Sequence, residues 1–363
     1  MIQSTPLRND DVFEKLDGHA QSQYIEYFGD PGPKVPTRGP VEVDYWSISY
    51  KLAFPTRSIF VKIPKADMHQ TDISSVVQDP RALESARTEF DGFKQIYSIR
   101  NWPAGCAAVR PLDYVSSFNS IITEYVPSED LYVQCRSAGV RCGLPGRLGA
   151  ASVHVSLNRC GAWLRHFQSA HELGGSVHSN SDQLLADIRL WAAEIRSLCV
   201  RPAVVDSFLD RLGQSPWSQE MRTARTCEGF EVRNVIVDCK GNIRLVDPGK
   251  VSWSSGLEDV AHFLVSLTML YWGTPALWLG VPVSRSYRKS FLDGWMQRDR
   301  PVNPAIMAWF EAREWFRQWL EAYRVVSRKP YSSTARRVLR AVYVDAFFLN
   351  RIADATARAV HQY

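Results

Sequence analysis

Residues 41–52 and 58–63 alternate or cluster β-branched and aromatic side chains around Phe54-Pro55-Thr56-Arg57. That pattern predicts two strands joined by a tight turn. From Pro80 to about Ile99 the period lengthens: Leu83, Ala86, Phe90, Phe93 and Tyr97 recur on one side of a helix whose first turn holds Pro80. Residues 107–114 and 119–126 read as two more strands, and Pro127-Ser128-Glu129-Asp130 breaks the pattern. Helical periodicity then dominates, over 148–173, 181–200 and 202–212, and again from about Leu257, Ser284, Asn303 and Ser332 onward. Ser332 or Ser333 is suited to cap the last, basic helix. The Pro/Gly-dense run from Pro31 to Pro40 makes the first forty residues a lead-in. The organisation predicted is a lead-in over 1–40, a small β-rich lobe over 41–126 and a large helical lobe over 127–363.

Composition narrows this picture in four respects. A chain of 363 residues with 45% hydrophobic and 22% charged residues buries one large core or two lobes and is not globally disordered. Its twelve tryptophans point to wide aromatic packing; Trp295, Trp309, Trp315 and Trp319 accumulate in the C-terminal helices, where packing is expected over sugar stacking. Seven scattered cysteines exclude a disulfide framework and a structural zinc site, and the polar start from Met1 to Lys15 carries no secretory signal, so a cytoplasmic setting is expected. Residues 260–283 lack Asp, Glu, Lys and Arg over a length that would cross a bilayer. His262, Ser266, Thr268 and Gly273-Thr274-Pro275 interrupt that run, so a buried helix is expected instead.

The formal net charge of +5 is uneven. From Glu321 onward, Arg324, Arg328, Lys329, Arg336, Arg337, Arg340, Arg351 and Arg358 face only Glu321, Asp345 and Asp354. A solvated helix face is the plain reading; a surface for anionic substrates or acidic lipid, giving peripheral membrane contact, is the sharper one. Nucleic acid is not expected, because Tyr343, Phe347 and Phe348 are spaced for core packing rather than base stacking.

Candidate chemistry concentrates in Cys227-Glu228-Gly229-Phe230-Glu231-Val232-Arg233-Asn234, the apolar run that follows it, Gly241-Asn242, a second apolar run, and Asp247-Pro248-Gly249. A Gly-Asn turn would bring the two strands together, with Asn234 and Asp247 adjoining them. An amide oxygen and a carboxylate converging there suit Mg²⁺, which keeps water and phosphate oxygens as its other ligands. Lys62 stands in the apolar strand Ile59-Phe60-Val61-Lys62-Ile63, either as a point charge for phosphates or as an alternating solvent-facing residue. Glu89, on the next helix, is placed to hold Lys62, or else is a surface carboxylate.

These four positions, in this order and with these element types between them, resemble the aminoglycoside phosphotransferase and choline kinase branch of the protein-kinase-like superfamily. The resemblance covers roughly residues 41–270. It implies an α+β, two-lobed fold with a small antiparallel-sheet N-lobe and a large, mostly helical C-lobe. It implies an ATP- and Mg²⁺-dependent phosphotransferase acting on a hydroxyl of a small molecule or glycan. In its terms Lys62 contacts the nucleotide phosphates with Glu89 as partner, Glu124 to Val126 form the hinge that binds adenine, Asn234 and Asp247 hold magnesium, and Asp259 braces the catalytic loop. Two departures stand out. No glycine-rich loop precedes Lys62, where Arg57 offers itself in place of loop amides. Gly229 lies five positions before Asn234, where the family keeps its catalytic aspartate. Glu228 and Glu231 are the candidate substitutes for that base, whose help is typically worth about 10²–10⁴-fold in rate. The alternative is a pseudokinase-type nucleotide-binding or scaffolding module without phosphoryl transfer.

Overall fold

A computed structural model describes residues 9–29, 35–141, 148–170, 175–199, 201–272, 283–296, 302–328 and 332–360. The chain divides into two compact units: Met1–Glu129 with Cys227–Gly229 and Ile236–Val251, and Asp130–Thr226 with Phe230–Val235 and Ser252–Tyr363. Among the described residues, no helix is long and apolar enough to cross a membrane.

The first unit opens with α1 (Asn9–Phe28), then β1 (Thr37–Arg38), β2 (Glu42–Val43), β3 (Ser47–Ala53), β4 (Ser58–Pro64), α2 (Ile73–Val76), α3 (Pro80–Tyr97), β5 (Pro111–Val115), β6 (Ser120–Glu124) and β7 (Ser128–Asp130). An antiparallel sheet runs in the order β1-β3-β4-β6-β5, with β2 paired to β3. Period-2 alternation along β4 buries Ile59, Val61 and Ile63 on one face with Ile48, Tyr50 and Leu52 of β3. Lys62 therefore points to the opposite face. Val12, Phe13, Leu16, Ala20, Tyr24 and Tyr27 of α1 complete the same core, so the expected lead-in contains a packed helix. Its 12-16-20-24 spacing was the available signal, hidden by the polar residues between and by the Pro/Gly run that follows. Tyr50 also donates to Asp17 at 3.0 Å, and Tyr27 donates to Asp113 at 2.8 Å.

Asp79 caps α3 by accepting from the Arg81 amide, with Pro80 in the first turn as predicted. The buried stripe of α3 is Ala82, Ala86, Glu89, Phe93 and Ile96. Leu83 and Tyr97, expected inside, are each 40% exposed. The helix is rotated relative to the apolar reading, because Glu89 occupies an inward position.

In the second unit, helices α4 (Leu131–Arg141) and α5 (Leu148–Ser169) precede β8 (Ser176–Asn180), and α6 (Ser181–Leu198) and α7 (Pro202–Gly213) lie between β8 and its antiparallel partner β9 (Ser218–Arg222). After β10 (Ala224–Cys227) come β11 (Val235–Asp238) and β12 (Ile243–Leu245), the strand pair of the motif, which belong to the first unit from Ile236 on and have β7 on the far side of β11. Then come β13 (Val251–Ser254), paired with β10, and α8 (Leu257–Thr268), α9 (Val283–Trp295), α10 (Pro304–Arg328), α11 (Ser333–Leu339), a π-helical turn (Arg340–Asp345) and α12 (Ala346–Val360). Ser332 caps α11, accepting from the Ala335 amide at 3.2 Å. Trp163, Trp309 and Trp319 are fully buried, with Phe230, Phe263, Phe291 and Phe316. The uncharged run from Val260 is core: Val260, Ala261, Phe263, Leu264, Val265 and Leu267 are buried. Gly273-Thr274-Pro275 lies outside the described residues.

Candidate active site

Lys62 Nζ donates to Glu89 Oε1 at 2.8 Å and meets Asp247 Oδ2 at 2.9 Å. Three elements distant in sequence, β4, α3 and the turn after β12, thus converge on one ammonium within the first unit. Burial alone would lower the pKa of Lys62, but Asp247 and Glu89 outweigh it and hold the ammonium above its ordinary value. Burial, followed by the charge of Asp247, pushes Glu89 up despite Lys62. Removing one member of such a buried set typically costs about 3–5 kcal/mol, since the others lose their counter-charge.

The Asp247-Pro248-Gly249 turn is gripped by two close backbone approaches. A Cβ at Gly92 of α3 would lie 2.6 Å from the Gly249 oxygen. One at Gly229 would lie 1.8 Å from the Asp247 oxygen. The same turn is stitched to the loop before it: Gly229 N donates to Pro248 O at 3.0 Å, Glu228 N to Lys250 O at 3.1 Å, and Cys227 Sγ to Pro248 O at 2.8 Å. Gly229 is therefore more than a missing carboxylate: the backbone leaves no room for any side chain there. The glutamate beside it, Glu228, is exposed.

Glu231 belongs to the second unit and is engaged there. His262 Nε2 lies 3.6 Å from Glu231 Oε2, and His262 Nδ1 lies 3.0 Å from Glu314 Oε1. Arg317 and Gln318 also donate to Glu314, at 2.7 and 2.8 Å. Burial would lower His262, but Glu314 and Glu231 push it up to about 9, against the charge of Arg317, whose Nη2 lies 2.5 Å from His262 Nδ1. Burial would raise Glu231, yet His262 holds it below the ordinary carboxylate value. A carboxylate already held low by a neighbouring histidine is a poor proton acceptor. The loop around it is fixed by Phe230, stacked on Trp163 at 5.4 Å, and by Val232 N donating to Ser266 Oγ at 3.1 Å. Asn234, in the same unit, donates its amide to Glu231 O at 3.1 Å, and Asp259 of α8 is 4% exposed. Sequence reasoning missed the His262–Glu314 pair; a histidine inside an uncharged run was the one signal it offered.

Glu124 is a structural post as well as a hinge candidate. Its carboxylate accepts from Arg244 at 2.8 Å and from the Arg110 amide at 3.0 Å. Arg244 also reaches Asp238 at 3.2 Å, whose oxygens accept from the Lys240 and Asn242 amides at 2.9 Å and so shape the Gly241-Asn242 turn. Val126 packs on Ala86, Phe93, Val109 and Ile121, and its carbonyl accepts from Ser128 Oγ at 3.0 Å. Arg57 stacks on Phe28, its guanidinium carbon 5.0 Å from the ring centre.

Among solved structures, one assigned as an aminoglycoside phosphotransferase from Ralstonia eutropha JMP134 matches with a TM-score of 0.54 at 14% identity, covering 96% of this chain and 96% of that one. A thermostable mutant of aminoglycoside phosphotransferase APH(4)-Ia, in ternary complex with ADP and hygromycin B, matches with a TM-score of 0.51 at 12% identity, covering 94% and 99%. The chain has the protein-kinase-like fold of the aminoglycoside phosphotransferases. At these identities the likeness is one of fold. No protein-family model matches the sequence, and no curated protein matches it significantly. Within the kinase-like fold, the second unit also holds a cavity of about 500 Å³ lined by Arg165, Gln168, Glu220, Trp295, Asn303 and Ile306. Trp295 is held there by donating to Gln168 Oε1 at 2.9 Å. Trp309, Trp315 and Trp319 are core residues.

Proposed function

We propose that the chain is an ATP- and Mg²⁺-dependent phosphotransferase that acts on a hydroxyl of a small molecule or glycan. The observation that carries this reading is the buried Lys62 ammonium held at once by Glu89 and Asp247. Withdrawing the Lys62 and Glu89 charges from water is costly, and packing alone has no use for it. Phosphoryl transfer depends on a fixed cation and a carboxylate at the nucleotide phosphates. Asp247 keeps its side chain 40% exposed with one oxygen on Lys62, which fits a hard cation at the other. Among the described residues no group of three His, Cys, Asp or Glu side chains could hold a metal alone. The ion would therefore draw on phosphate and water oxygens, and when bound it would neutralise charge on the phosphates. A share for Asn234 rests on the resemblance. The complexes of APH(4)-Ia with ADP or AMP-PNP and hygromycin B support the pairing of a nucleotide with a hydroxyl-bearing acceptor.

Glu228 is the better candidate to serve the acceptor hydroxyl, because Glu231 is committed to His262. The second reading, a pseudokinase-type module, is favoured by the filled space at Gly229. Calorimetric titration with Mg·ATP, followed by labelled phosphoryl transfer to a panel of hydroxyl acceptors, separates the two. Binding that Lys62→Ala and Asp247→Ala abolish, with transfer that Glu228→Gln reduces, supports the enzyme. Binding without transfer supports the module, and absence of binding removes both.

A further inference from the structure

Arg225 of β10 carries a charge that the fold encloses without balancing. The residue is 7% exposed, and its Nε and Nη1 are buried with no hydrogen-bond acceptor among the described residues. Burial lowers its pKa, and no carboxylate among the described residues opposes that effect. The guanidinium carbon instead lies 5.3 Å from the Trp253 ring centre and 5.9 Å from that of Phe167. Polar groups close by in the chain are taken. The Thr226 and Ser252 hydroxyls bond to each other at 2.9 Å, and Glu258 accepts from the Ser254 and Ser255 hydroxyls at 2.8 and 2.9 Å. Arginine is almost never enclosed without a partner, and the two rings attract the cation without cancelling its charge. Nη2 is not among the buried nitrogens, and Trp253 beside it is 38% exposed. A cation and an open, flat apolar face thus adjoin within the second unit.

We propose that Arg225 and Trp253 form a binding site for a small anionic molecule, a carboxylate or a phosphate ester carried on an apolar body. The incoming oxyanion accepts from Nη2 and supplies the missing counter-charge, and a hydrogen bond between two ions is among the strong ones. Trp253 covers the apolar part of the ligand with its ring. Because the two rings already fix the guanidinium, little side-chain freedom is lost on binding. None of Arg225, Trp253 and Phe167 belongs to the Lys62 site, so the assignment stands or falls independently of the phosphotransferase reading.

Calorimetry on the full chain with benzoate, phenyl phosphate and inorganic phosphate, at an ionic strength held constant with chloride, tests this. The expected result is saturable binding of benzoate or phenyl phosphate that weakens about tenfold or more in Arg225→Met. Whichever of the two binds more tightly names the anionic group. The same anion should raise the urea midpoint of the parent chain and leave that of Arg225→Met where it was. Where Arg225→Met fails to fold, Arg225→Lys decides: it keeps the charge but loses the planar group held between the rings, and binding should weaken about threefold or more. Absence of saturable binding by both aryl anions, or binding that the Arg225 variant leaves unchanged, overturns the proposal. Inorganic phosphate bound as tightly as phenyl phosphate overturns the part given to Trp253.

Discussion

Replacing Gly229 by aspartate restores, on paper, the residue that the kinase-like resemblance lacks; the structure predicts that it damages the protein instead. Any Cβ at this position meets the Asp247 carbonyl oxygen at 1.8 Å and the Asp247 and Pro248 carbonyl carbons at 2.9 Å each. These are backbone atoms, so no rotamer relieves the overlap. The turn must move, and with it the bonds from Gly229 N and Cys227 Sγ to Pro248 O. Overpacking of this kind costs about 1–3 kcal/mol, and each lost hydrogen bond about 0.5–1.5 kcal/mol. Gly229→Ala should therefore lose about 2–6 kcal/mol, with Gly229→Asp at least as affected. Urea unfolding of the purified variants reads this directly, and phosphoryl transfer should fall in parallel because Asp247 moves. If Gly229→Ala unfolds within about 0.5 kcal/mol of the parent, or Gly229→Asp transfers faster, the close-packing argument is wrong.

Three further outcomes follow from the geometry. The raised pKa of His262 means that its stabilising contribution is complete below the ordinary value of 6.5 and disappears as pH rises through about 9; urea midpoints should fall across that window, by at most about 3 kcal/mol, and His262→Gln should flatten the slope. Lys62→Met leaves Glu89 and Asp247 without their shared cation and should cost about 3–5 kcal/mol by the same unfolding assay, with restoration in part by Glu89→Gln. Leu16, fully buried in the first unit's core, should cost about 2–5 kcal/mol when replaced by alanine; a neutral result would show α1 to be a dispensable lead-in after all.

What the sequence determined by itself was whatever short-range physics controls. Period-2 alternation placed β3 and β4, Pro80 and Asp79 started α3, and Gly241-Asn242 turned β11 into β12, since each depends on neighbours a few residues apart. The order of Lys62, Glu89, Asn234 and Asp247 pointed to a kinase-like fold for the same reason: element types and spacings are local. Tertiary structure decided the rest. Glu89 rather than Leu83 faces inward because a buried lysine from another strand waits there. Glu231 loses its freedom to His262, and α1 becomes core rather than lead-in, through contacts that no local pattern encodes. Gly229 reads as a lost catalytic residue along the chain, but in space it is the point where two backbones touch, and only the folded molecule has that contact.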